Sequence, residues 1–230
     1  ALTDRFGKKN LSPSAAIHSQ NRQVVFCDFD GTITVQETFV TMLKKYTPEL
    51  FAKLMPEIYA LRVSLADGVR QLLNSIPSRC YPNILEDIRH QPLRPGFVEL
   101  LDFLDTAEIP LVVVSGGLRG MVEAALGSCQ ERVAGIYAAE VDTSGEFLQI
   151  YSHVESDTEL VSKPQVMARY NAGENIAIGD SVTDLQMAMA ADLVFARDRL
   201  AQYLQQRDKF YLEWQDFFDV RDTLAKRYLS

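Results

Sequence analysis

The chain has few cysteines: Cys27, Cys80 and Cys129, at scattered spacings along 230 residues. That pattern argues against a disulfide framework or a zinc site and suits a reducing, cytoplasmic setting. No apolar stretch is long enough to span a bilayer. The segment from Ala1 to Arg22 is polar and mixed, without the apolar centre of a signal peptide. Positive charge is also short, since 23 Lys and Arg against 31 Asp and Glu give a formal net charge of −8. Nucleic acid and anionic membranes are poor partners for such a surface. An anionic phosphate can still bind where a metal and a lysine are concentrated locally. Internal repeats and low-complexity segments are absent as well. What remains is an ordinary globular composition, 47% hydrophobic and 23% charged. Its length suits one large α/β domain or a core with a modest insertion. Oligomeric state is not legible in it.

Gln23 to Cys27 reads as a buried strand. A stretch from about Gln36 to Ile88 follows, with Phe39, Met42, Leu43 and Tyr46 at helical spacing, cut into short helices by Pro48, Pro56, Pro77, Pro82 and Pro92. From Arg94-Pro95-Gly96 onward, helix and strand alternate. Pro95 to Ala107 is helical, and Pro110 to Val114 is a continuous apolar run typical of a parallel strand. Leu118 to Leu126 is helical, and short β-like runs cover Ile136 to Val141 and Glu146 to Tyr151. Lys163 to Tyr170 is helical, Asn175 to Ile178 a strand, Ser181 to Ala190 a helix and Leu193 to Ala196 a strand, with helices closing the chain. This order predicts an α/β, doubly wound parallel sheet, whose sites lie at the carboxyl ends of the strands.

The chemistry-bearing residues fall there. The first strand delivers Asp28 and Asp30 into Gly31-Thr32. Residues i and i+2 of an extended strand share a side, so the two carboxylates are expected to face one centre. Like charges that close need a cation or a shared proton. A divalent metal site fits, and so does a nucleophile paired with a general acid; a simple turn is the bland alternative. After the second strand, Ser115-Gly116-Gly117 offers a hydroxyl and approachable amides for a phosphate, or merely an N-cap. Lys163 opens a helix, where its charge opposes the dipole unless an anion sits nearby; a solvated surface lysine is the alternative. Asp180 follows the third strand, with Asp184 four residues on, and two carboxylates at a strand end suit a hard cation. A helix cap is the simpler reading of that pair.

Taken in order, Asp-Phe-Asp-Gly-Thr, Val-Ser-Gly-Gly, Lys-Pro and Gly-Asp-Ser-Val-Thr-Asp resemble the motifs of haloacid-dehalogenase superfamily phosphatases. The intervening helical stretch resembles the small cap of the phosphoserine-phosphatase-like branch. Phe195-Ala196-Arg197-Asp198-Arg199-Leu200 and the tail Trp214-Gln215-Asp216-Phe217-Phe218 look most like its methionine-salvage members. The resemblance implies a Rossmann-like core at 21–36 and 95–230, a helical cap at 37–94 and a loose arm at 1–20. It also implies Mg2+-dependent hydrolysis of a small phosphorylated metabolite. Asp28 would be the nucleophile and Asp30 the general acid and base. Mg2+ would sit on Asp28, Asp180 and the Asp30 carbonyl, steadied by Asp184. Thr32, Ser115, Gly116 and Lys163 would grip phosphate. Glu37 and Arg70 sit roughly where phosphoserine phosphatases hold an amino acid, although Arg70 also fits the polar edge of an amphipathic helix. Phosphoserine is therefore the rival substrate, and a non-catalytic phosphate-binding protein the remote one.

Overall fold

The computed structural model describes residues 23–229, so the arm read at 1–20 lies outside the described residues. Seven strands form one sheet in the order β4-β3-β2-β1-β5-β6-β7. They are β1 (Gln23–Asp28), β2 (Leu111–Leu118), β3 (Gly135–Asp142), β4 (Gln149–Tyr151), β5 (Glu174–Gly179), β6 (Leu193–Ala196) and β7 (Leu212–Glu213). All neighbours pair in parallel except β3 and β4. The chain runs outward from β1 on one side through β2 to β4, then returns to β5 on the other. The switch point lies between β1 and β5, where open α/β sheets place their sites.

Side-chain alternation in β1 assigns the two faces. Val25 and Cys27 join the larger core, which includes Leu100, Val122 and Leu224 from helices α5 (Phe97–Thr106), α6 (Arg119–Leu126) and α10 (Phe217–Tyr228). Val24 and Phe26 join the smaller one, with Val166, Met187 and Leu200 from α7 (Lys163–Ala168), α8 (Leu185–Ala190) and α9 (Asp198–Gln206). Asp28 has the parity of Val24 and Phe26, so it leaves the strand on the face that carries α7 and its Lys163.

Between β1 and α5 lie α1 (Thr38–Tyr46), α2 (Pro48–Tyr59), α3 (Leu65–Asn74) and α4 (Tyr81–Arg89). Pro48 and Pro82 sit in the first turn of their helices, where a missing N–H costs nothing. The segments entering and leaving this insert pair at Thr34 and Leu93.

Three local readings are corrected. The stretch read as one helix from Ser181 begins as a tight turn, Val182–Asp184, because Asp184 folds back onto the amides of Asp180 and Ser181. Ser115, Gly116 and Gly117 belong to a bulged extension of β2 rather than to a strand–helix turn. Pro56, expected to cut the helical stretch, lies inside α2 instead.

Candidate active site

The strand containing Asp28 ends at that residue, so the two-residue alternation does not carry through to Asp30. Phe29–Ile33 forms instead a wide turn, closed by the Thr34 N–H on the Phe29 carbonyl at 3.1 Å. Gly31 has φ +75°, and a Cβ there would lie 2.5 Å from Asp180 Oδ2. Only glycine allows both the backbone conformation and the approach. The turn still brings Asp28 and Asp30 to one cavity.

Lys163 is buried, not a solvated surface lysine, and its Nζ donates to Asp28 Oδ1 at 2.7 Å and Asp184 Oδ1 at 2.5 Å. The anions that justify a lysine at this helix start are these carboxylates. Burial alone would lower its pKa, but Asp184 and Asp28 carry it well above the ordinary value. Asp184 has no exposed surface, and its Oδ2 accepts the N–H groups of Asp180 and Ser181 at 3.0 and 3.1 Å. It therefore fixes both the lysine and the Asp180 backbone. Burial, then the charges of Asp28 and Asp184, push Asp180 up to about 9, and burial beside Asp28 pushes Asp184 up to about 6.

One oxygen from each of Asp28, Asp180 and Asp184 lies within 4.8 Å of the others. Three buried carboxylates around one ammonium leave an excess of negative charge. Such an all-oxygen donor set suits a hard divalent cation.

Thr32 does not face the cavity as a phosphate ligand. Its buried hydroxyl lies 2.9 Å from Asp180 Oδ1 and 3.2 Å from Asp28 Oδ2, linking the carboxylates instead. Asp30 is held at the start of α1. Its Oδ1 accepts from the Thr38 N–H and hydroxyl at 2.5 and 2.8 Å, and its Oδ2 from the Phe39 N–H at 3.0 Å. Burial raises its pKa, and these donors partly offset the rise.

The cavity above these groups has a volume of about 220 Å³. Ser115, Gly116, Glu37 and Glu159 line it along with Asp28, Asp30 and Lys163. The Ser115 hydroxyl accepts the Gly117 N–H at 3.0 Å, and open space surrounds Gly116. The walls are apolar: Phe39, Leu43, Phe51, Met55, Ile58 and Val69 come from α1 to α3. Among the described residues, Lys163 is the only cation that lines the cavity. Arg70 does not reach it, because its Nη2 is engaged by both oxygens of Glu155 at 2.8 and 3.0 Å.

The sequence reading passed over Arg94. This buried side chain donates to the carbonyls of Thr32 at 2.8 Å and Gly31 at 2.9 Å, with Thr34 at 3.4 Å. Its place beside Pro95-Gly96, where the insert returns to the sheet, is the one signal that could have marked it. Glu159 was also missed, since nothing in its spacing distinguishes it from a surface acid.

The haloacid dehalogenase-like hydrolase pattern matches residues 25–189, and the chain belongs to that family. It is an enzyme of phosphatase type. It is 50% identical over 207 residues to the 2-hydroxy-3-keto-5-methylthiopentenyl-1-phosphate phosphatase of Microcystis aeruginosa (strain NIES-843 / IAM M-2473), covering 89% of this chain and 99% of that one. The phosphatase of the same name from Geobacillus kaustophilus (strain HTA426) is 35% identical, over 88% and 96% of the two chains. The fold is that of the phosphoserine phosphatase from T. onnurineus, with a TM-score of 0.66, 19% identity and coverage of 90% and 97%.

Proposed function

We propose that the chain is a Mg2+-dependent phosphomonoester hydrolase acting on 2-hydroxy-3-keto-5-methylthiopentenyl-1-phosphate in methionine salvage. The observation that carries the substrate reading is the chemistry of the cavity. Its floor holds the aspartates and Lys163, while its walls are apolar. A substrate with one phosphate and a methylthio tail matches both. L-Phosphoserine carries in addition a carboxylate and an ammonium. Glu37 and Glu159 could pair with the ammonium, but the carboxylate would meet those same acids and hydrocarbon, with Lys163, the lining cation among the described residues, already shared between Asp28 and Asp184. Burying a charge without a partner is costly, so the cavity disfavours it.

The mechanism follows from the positions of the side chains. Asp28 attacks phosphorus through a carboxylate oxygen, forming the aspartyl–phosphate bond as the ester P–O bond breaks. Asp30 gives its proton to the departing oxygen, and its burial keeps that proton available. A water then attacks the phosphorus of the aspartyl phosphate and returns a proton to Asp30. Phosphate leaves and Asp28 is regenerated. Lys163, the Ser115 hydroxyl and the Gly116 amide stabilise charge on the phosphoryl oxygens. Asp28, Asp180 and the Asp30 carbonyl would hold Mg2+, with Asp184 as support. The ion would neutralise charge that otherwise repels an anionic nucleophile from an anionic ester. Helices α1–α4 form the cap that excludes water. A reducing cytoplasm suits the three free cysteines.

The test is Mg2+-dependent phosphate release from the enol phosphate and from L-phosphoserine at matched concentrations. The enol phosphate should be strongly preferred. Equal or greater turnover of phosphoserine would overturn the substrate reading, and no release from any phosphomonoester would overturn the chemistry.

A further inference from the structure

We propose that Arg94 is a positioning residue for phosphoryl transfer, acting through the backbone of the turn that carries Asp30. The inference rests on the phosphatase reading above. The Arg94 guanidinium fork donates to the carbonyls of Gly31 and Thr32, with that of Thr34 at the limit of reach, while its own N–H donates to Ile33 O at 2.7 Å. One residue thus gathers the carbonyls of four successive positions, immediately after Asp30. Those are the positions whose geometry sets where Asp30 and the Thr32 hydroxyl point.

The guanidinium is itself held from behind. It lies 5.4 Å from the Trp214 ring centroid, and Arg197 lies 5.4 Å from the same centroid. The buried Trp214 indole N–H donates to Gly179 O at 3.3 Å, at the end of the strand that delivers Asp180. Arg94 and Trp214 together therefore bridge the β1 turn to the β5 terminus, and Gly31 presses against Asp180 across that join. A buried guanidinium whose hydrogen bonds run to carbonyl oxygens is a costly way to hold a turn. Its planar fork offers in return a fixed angular relation that an ammonium cannot reproduce. Arg94 also sits where the insert's return segment meets the entering one, next to the Thr34–Leu93 pair. The turn is in this way anchored to the core at the point where any movement of α1–α4 would pull on it.

The experiment compares wild type, Arg94→Lys and Trp214→Phe as full chains, with p-nitrophenyl phosphate and with the enol phosphate, in Mg2+. Lysine keeps the charge and loses the fork; phenylalanine keeps an aromatic ring and loses the N–H. A displacement of about 1 Å in the reacting groups costs on the order of 10²-fold. Arg94→Lys should lower kcat by about 10- to 100-fold on both substrates, with KM changed less than about threefold and melting temperature nearly kept. Trp214→Phe should show the same split with a smaller loss. A folded Arg94→Lys with kcat within about twofold of wild type overturns the proposal. So does a loss of activity in both variants that tracks melting temperature and recovers on cooling, because that is a merely structural role. If wild type itself releases phosphate from neither substrate, the phosphatase reading falls and this inference with it.

Discussion

Lys163 places its ammonium 2.7 Å from Asp28 Oδ1 and 2.5 Å from Asp184 Oδ1, all three side chains being buried. The lysine is therefore a counter-ion inside the protein before any phosphate arrives. Removing one partner of a buried ion pair typically costs about 3–5 kcal/mol, because the other charge stays behind. Lys163→Met should both lower the melting temperature and reduce turnover by about 10²–10³-fold, the cost of losing one charge-stabilising donor. Thermal melts and p-nitrophenyl phosphate kinetics check the two effects separately. A variant with wild-type kcat would remove Lys163 from the machinery.

The same cluster makes metal binding a competition with protons. Asp180, at about 9, and Asp184, at about 6, both hold protons above the ordinary carboxylate value of 3.8. The folded chain then binds more protons than the unfolded one, so metal-free stability is greatest below about pH 4 as far as these groups decide it. It falls as pH rises through 6 and then 9. A divalent cation takes the place of the proton, so its stabilising effect should grow over that window. Melting temperature from pH 5 to 9, with EDTA and with Mg2+, is the measurement. Curves that stay parallel across the range would contradict the assignment of this cluster as the metal site.

Asp30 depends on the start of α1, and the Thr38 hydroxyl at 2.8 Å is one of the donors that moderate its pKa. Thr38→Val deletes that hydroxyl and leaves both amides in place. Losing a donor to the charged form raises the pKa further. In the proposed mechanism Asp30 must be ionised to deprotonate water in the second half of the reaction. The acidic limb of the kcat–pH profile should therefore move upward. An unmoved limb would mean that Asp30 does not act as the base.

Much of this site was legible because side chains that meet at the end of a parallel sheet follow the strands in sequence. Asp28, Ser115, Lys163 and Asp180 could be placed by asking what comes after each apolar run or at each helix start. Arg94 could not, because its work is done on backbone carbonyls 60 or more residues away, and no spacing rule encodes a donor to a distant carbonyl. The resemblance alone assigned Thr32 to phosphate. Its side chain turns inward, and only the tertiary placement of Asp180 explains why. The expected meeting of Asp28 and Asp30 at one centre is reached, both lining one cavity, but through the wide turn Phe29–Ile33 rather than by strand alternation, which stops at Asp28.

Arg70 separates the two substrate readings most cleanly. It lies on α3, half-exposed, and its charge is spent on Glu155 outside the cavity lining. Half-exposed pairs of this kind contribute about 0–1 kcal/mol. Arg70→Ala should therefore leave kcat/KM for the enol phosphate within about threefold of wild type, because neither the phosphate nor the methylthio group meets the guanidinium. Phe51 on α2 forms part of the apolar wall. Phe51→Ala should raise KM for the same substrate by about tenfold, the scale on which an apolar pocket discriminates. Steady-state kinetics on the two variants, side by side, give the comparison. A large loss in Arg70→Ala with little change in Phe51→Ala would mean that the substrate is held by charge rather than by its apolar tail. The anionic amino-acid ester would then become the better candidate.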